Sequence, residues 1–240
     1  KALLTAYKKH MPTEALAETA QDDRRSPQNA LRIYEGYCQH YEPMALKFHH
    51  IEVPFAMHIG TIQTPPGHTL NNIAMTKDVV YVGIIDAVLE MQSRIYINDL
   101  KTTAYNITQG YLDNFKMDQG LIGYMIAAKE LLGIDTQHAL VHVMWIQSPP
   151  KTKAGKPLDE YFHTVELYWD QAQIDEWLAN TLATVQEIET KRANNGPWIM
   201  DFGQNCGAFG GCEYRPICSS TPAARKQLID LNYIRAIWTP

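Results

Sequence analysis

The stretch Gly83–Thr103, GIIDAVLEMQSRIYINDLKTT, decides how the chain is read. β-Branched and apolar residues on either side of Gln92-Ser93 predict two antiparallel strands joined by a two-residue turn. Side chains alternate along a strand, so Asp99 and Lys101 share a face with Ile95 and Ile97. With Met91 facing Arg94, Asp86 falls directly opposite Asp99. Like charges so placed destabilise a sheet, and a buried carboxylate is costly unless something neutralises it.

A cation between the two carboxylates resolves the conflict. Oxygen ligands favour a hard divalent ion, Mg²⁺ or Mn²⁺. Lys101 lies one pleat further along, where an ammonium can orient a water or balance charge building on a phosphate. Two carboxylates, a metal and a lysine suit metal-assisted phosphodiester hydrolysis. The plainer reading is a hairpin whose terminal charges sit in solvent. Gly83 adds to the first reading, because a strand glycine often marks the close approach of backbone or ligand.

Outward from the hairpin, the order of elements predicts an α/β fold. Ser26-Pro27 fits a helix start, and apolar residues at 30, 31, 34, 37, 38 and 41 have helical spacing up to Pro43. A strand over 45–59 follows, then a Pro/Gly/Asn loop, then the hairpin. Residues 110–133 read as one helix closed by Gly133, 138–147 and 161–169 as strands, and 171–194 as a helix capped by Asp170. The N-terminal 20 residues read as helical with a break near Pro12, and a short helix begins at Pro222. This predicts a central mixed β-sheet flanked by helices, residues 1–197, followed by a cysteine-rich appendage, 198–240, packed on the same domain.

Composition sets bounds on function. The chain has 240 residues, 45% hydrophobic and 20% charged, which is ordinary for a soluble globular protein. No apolar run reaches the ~18–20 residues of a membrane-spanning helix, so no membrane partner is expected. The net charge of −5 argues against a generally basic nucleic-acid coat, although local basic contacts remain open. No secretory pattern opens the chain, so metal binding is favoured over disulfides for its four cysteines, and a cytoplasmic setting is expected.

Gly83-Ile-Ile-Asp86, then Asp99-Leu-Lys101-Thr102-Thr103, then Gln119 and Gly123-Tyr124 follow in one order along the chain. With IEVPF at 51–55 and RRSPQNALRIYEGYCQHY before it, this set resembles the RecB-like branch of the PD-(D/E)XK nucleases, with its restriction-endonuclease-like core. The resemblance implies that Asp86, Asp99 and the carbonyl of Leu100 hold Mg²⁺ or Mn²⁺, and that Lys101 positions water or stabilises the transition state. It implies that Gln119 and Tyr124 sit on a helix over the site and that Glu52 projects toward it. It further implies a DNA substrate, exonuclease action on single strands or ends, and a bacterial or phage setting in recombination, repair or DNA processing. A helicase or recombination protein would be a separate partner. Two departures stand out. The Gln–Tyr interval holds four residues where relatives hold three, and the family's early histidine ligand would fall just before Lys1. The rival reading is a non-catalytic DNA-binding or scaffold module that kept the fold.

Cys206, Cys212 and Cys218 are spaced C-x5-C-x5-C among glycines, a pattern that suits a 4Fe–4S cluster or zinc. Iron–sulfur nucleases that this segment resembles place one cysteine early and three late, which implies 4Fe–4S. Cys38 is the one other cysteine of the sequence and lies on an apolar helical face, either as fourth ligand or as a buried free thiol. Lys151, Lys153, Lys156 and Arg215 are candidate phosphate contacts, the three lysines equally well a solvated loop.

Overall fold

A computed structural model of the chain describes residues 24, 26–64, 75–147, 160–194, 203, 206–207, 211–234 and 236. The predicted N-terminal helix and the loop bearing Lys151, Lys153 and Lys156 lie outside the described residues. Two compact units divide the chain. The first comprises residues 1–60 and 78–183, the second 61–77 and 184–240.

Helix α1, Pro27–Tyr41, starts where Ser26 accepts the Asn29 N–H at 3.2 Å. Strands β1 (Lys47–Thr64), β2 (Met75–Met91) and β3 (Arg94–Thr103) follow. Strands β4 (His138–Trp145) and β5 (Phe162–Tyr168) complete a five-stranded sheet of order β1-β2-β3-β4-β5. The β2/β3 and β4/β5 pairs are antiparallel and β3/β4 is parallel, so the sheet is mixed. A parallel pair needs a crossover, supplied here by α2 (Gln109–Asp113), a 3-10 turn (Asn114–Met117) and α3 (Gln119–Leu132).

The expected single helix over 110–133 is therefore two helices. Asp118 leaves the helical region (φ −76°, ψ 94°), and its Oδ1 accepts the Gly120 N–H at 3.0 Å. An Asp followed by an apolar helical run is an N-cap, and the cap prevails over the continuing periodicity. The helix α4, Gln171–Ala193, begins as predicted. Asp170 Oδ1 accepts the Gln173 N–H at 2.9 Å, and Gln173 Oε1 accepts the Asp170 N–H at 3.0 Å.

The core of the first unit lies between α3 and the sheet. Leu121, Met125 and Ala128 join Ile85, Val88, Ile97, Val141 and Val143, all nearly inaccessible. Tyr37 and Tyr41 of α1 pack on His142 of β4. Both faces of β4 are thus covered, and residues 139–143 are fully buried. The second unit contains the ends of β1 and β2, the end of α4, a short turn α5 (Arg215–Cys218) and α6 (Pro222–Asn232). Lys77 and Arg192 both reach Glu189 at 2.6 Å, and Tyr214 stacks on Tyr233.

Candidate active site

The hairpin keeps the predicted register from its turn as far as Ala87, where the ladder ends short of the expected Asp86–Asp99 pair. Met91 pairs with Arg94, and the ladder runs through Val88↔Ile97 to Ala87↔Asn98. Gln92 and Ser93 both adopt positive φ, 51° and 63°, as a two-residue type I′ turn requires. Neither residue favours that region, so strand pairing imposes it.

Beyond Ala87 the pattern changes. Ile85 and Val88, three positions apart, both belong to the α3-side core. Strict alternation would put them on opposite faces, so β2 slips phase by one residue at Asp86–Ala87. There the Leu100 N–H is taken by a side chain, Asp86 Oδ2, at 3.3 Å.

Asp99 is 3% exposed, and the ammonium of Lys101 straddles its carboxylate. Nζ is 3.1 Å from Oδ1 in a hydrogen bond and 2.8 Å from Oδ2 in a more oblique ion pair. Oδ2 is buried and accepts no hydrogen bond among the described residues. Burial raises the Asp99 pKa above the usual carboxylate range, and the charges of Asp86 and Asp118 add to it against the pull of Lys101. Burial pulls Lys101 down, but its hydrogen bond to Asp99 and the three nearby carboxylates outweigh that, leaving it raised.

Tyr124 stands at the edge of this cluster. Burial raises its phenol, and the charges of Asp86 and Asp99 raise it further. Its ring meets Phe55 edge-on at 5.9 Å. Gly83 makes that packing possible, because a Cβ there would lie 2.7 Å from Phe55 Cζ and 3.5 Å from the Tyr124 ring. Gln119 opens α3 and is exposed.

Glu52 has φ 52° within β1, a left-handed conformation costly for a residue with a Cβ. Strands bend at such residues and re-aim side chains. Glu52 and Asp86 line one cavity of ≈ 880 Å³, together with Asn98 and Leu100. Asp118 is the acid that sequence reading missed. It caps α3 and also loads Asp99, Lys101 and Tyr124 electrostatically. Its place before Gln119-Gly120 was the available signal.

The donor set suits a hard cation in part. Two carboxylates converge, one with an oxygen that lacks a hydrogen bond, but no group of three His, Cys, Asp or Glu gathers among the described residues. The same holds for the cysteines. Cys206 and Cys212 are linked through backbone, Cys212 N donating to the Cys206 carbonyl at 3.0 Å. Cys38 corrects an expectation: it is exposed rather than on a buried face, because Ile33, Gly36 and Tyr41 form the inner side of α1. Its proximity raises the Tyr34 pKa. Arg215 is exposed at the start of α5, in the second unit.

No curated protein matches the chain. No helix among the described residues is long and apolar enough to cross a membrane. The family model of the PD-(D/E)XK nuclease superfamily matches residues 2–219, nearly the whole chain, and the chain therefore belongs to that superfamily.

Proposed function

We propose that this protein is a metal-dependent deoxyribonuclease that hydrolyses DNA phosphodiester bonds, acting as an exonuclease on single strands or DNA ends. One observation carries the reading: the phase slip in β2 brings Asp86 onto the Leu100 N–H while Asp99 and Lys101 meet at 2.8 Å beside it. Asp86, Asp99 and the carbonyl of Leu100 would hold Mg²⁺ or Mn²⁺. Such an ion, when bound, supplies Lewis acidity toward the scissile phosphate and a more acidic water.

The protein's own groups do the rest. The Lys101 ammonium, held protonated by three carboxylates, orients the attacking water and balances the charge that grows on the phosphate oxygens. Tyr124 keeps its phenolic proton and can donate it to a phosphate oxygen. Glu52, beside Asp86 on the cavity wall, and Gln119, at the solvent end of α3, orient the strand. Arg215 and the lysines 151, 153 and 156 are the further candidates for phosphate contact. The setting is recombination, repair or phage DNA processing in the cytoplasm of a bacterial or phage-infected cell, with any helicase on a separate chain.

The test is cleavage of a labelled oligonucleotide with Mn²⁺ by wild type, Asp99→Ala and Lys101→Ala. Both variants should lose activity by about 10²-fold or more. Equal activity in all three would sink the catalytic reading and leave a DNA-binding module with a nuclease fold.

For Cys206, Cys212 and Cys218 the reading is ligation of a 4Fe–4S cluster. The spacing supports it. Broad absorption near ~400 nm in anaerobic protein is expected. A colourless protein with stoichiometric zinc refutes it.

A further inference from the structure

We infer that the hollow beside Asp86 receives an unstacked nucleobase, so that the DNA strand is single where it passes Asp86. This rests on the nuclease reading above. The hollow measures ≈ 880 Å³, within the roughly 300–1,000 Å³ of small-molecule sites. Its walls are mainly apolar and aromatic, with Tyr34 and Tyr37 from α1 and Phe48 and Ile51 from β1. Tyr34 is 52% and Phe48 45% exposed, so folding leaves both rings largely unused. Asp86 lines the same hollow, and Arg24 supplies a cation for a neighbouring phosphate.

On the nuclease reading Asp86 helps hold the ion at the scissile phosphate, so an apolar, ring-lined cavity that Asp86 also lines is within reach of what is covalently next to that phosphate. In DNA that is a sugar and a base. Every base has a π-face, and stacking on aromatic side chains is tolerant of sequence. A base inside a duplex must first be unpaired and unstacked, which costs a few kcal/mol, whereas a single strand offers its bases freely. The hollow therefore selects single-stranded DNA over duplex without reading sequence.

The experiment compares wild type, Tyr34→Ala and Phe48→Ala on a normal single-stranded oligonucleotide and on one carrying abasic residues. Each variant should lower kcat/KM on the normal strand by about 5- to 100-fold, mainly through KM. On the abasic strand the difference from wild type should vanish, because the contact is already gone. Melting temperatures should be unchanged, since both side chains are half exposed. Equal losses on both strands, or none on either, would overturn the assignment. A fall in melting temperature with lost activity would also overturn it, by showing that the hollow is covered by another part of the chain. A parallel arm reads binding alone, with Ca²⁺ in place of Mn²⁺ and 2-aminopurine fluorescence in the strand. Quenching by wild type but not by Tyr34→Ala supports the base site even if no cleavage occurs with Mn²⁺. Cleavage without that difference rejects the base site and leaves the nuclease reading intact.

Discussion

Replacing Lys101 by Met tests what holds the Asp99 charge in place before any metal arrives. Asp99 is 3% exposed, and its ion pair is to Lys101 at 2.8 Å. Removing one partner of a buried pair costs roughly 3–5 kcal/mol, because the other charge stays buried and uncompensated. Lys101 is 40% exposed, and water reaching the pair reduces that to about 1–3 kcal/mol. The double variant Lys101→Met/Asp99→Asn removes both charges and should recover most of the loss, a coupling of roughly 1–2 kcal/mol. Asp99→Asn alone should cost little and should change the pH response. The folded pKa of Asp99 lies above its unfolded value, so its contribution falls as pH rises through the folded pKa, and the amide removes that slope. The assay is urea unfolding at neutral pH in EDTA, repeated with Mn²⁺. A cation between the carboxylates takes the place of the ammonium, so Mn²⁺ should stabilise Lys101→Met more than wild type and Asp99→Asn least. At a hundredfold excess over its dissociation constant the gain is about 2.7 kcal/mol. If Lys101→Met matches wild type in EDTA, or Mn²⁺ stabilises Asp99→Asn as strongly as Lys101→Met, the account of the charge cluster is wrong.

Three further outcomes follow from individual residues. Glu52→Gly relieves a left-handed φ of 52° and should raise stability by about 1 kcal/mol while lowering nuclease activity; unchanged activity would remove Glu52 from the site. Gly83→Ala sets a Cβ 2.7 Å from Phe55 and should cost about 1–3 kcal/mol in chemical denaturation; recovery by Phe55→Leu in the double variant would locate the clash, and an undiminished Gly83→Ala stability would deny it. His142 is fully buried, its Nδ1 meets the Tyr37 hydroxyl at 3.1 Å, and burial, with the charge of His40, lowers its pKa to about 4. A folded pKa below the unfolded value near 6.5 means stability falls as pH drops from about 6.5 to 4, by roughly 3 kcal/mol in all, and is flat above it. His142→Phe should flatten the acid limb of a stability–pH curve, and an unaltered limb would clear His142 of that role.

The parts of the fold set by strong local patterns were legible. The hairpin register was readable because a two-residue turn at Gln92-Ser93 sets Met91 opposite Arg94 and fixes every pair that follows as far as Ala87. The start of α1 and the cap of α4 were readable from Ser26-Pro27 and Asp170. The phase slip at Asp86 was not, because Ile84, Ile85, Ala87 and Val88 are apolar whichever way they point. Nor was the break at Asp118, since apolar spacing runs on past it and only the cap marks the restart. Cys38 was misplaced for a related reason. It lies between the packed rings of Tyr37 and Tyr41 in sequence, yet helical rotation turns it outward. Glu52 was named, but nothing in a β-rich run announces a left-handed residue.

The slip in β2 explains how a carboxylate pair is accommodated here. Along a regular ladder every N–H and C=O is spent on a neighbouring strand, and a carboxylate pointing into the core finds no donor. At Asp86 the ladder stops pairing backbone to backbone, and the Leu100 N–H becomes a donor for a side chain. That one bond fixes the Asp86 carboxylate beside Asp99 while leaving oxygen lone pairs uncommitted. The cost of the lost pairing is carried by the adjacent strand. β3 keeps seven paired positions with β4, whose residues 139–143 are fully buried. A defect on one side of β3 is therefore tolerated because the other side is a continuous, buried pairing. Lys101 and Asp99 both lie within that continuous pairing, opposite Val143 and Val141. A substitution in β4 such as Val141→Ala, far from any charge, should accordingly loosen the site before it unfolds the protein.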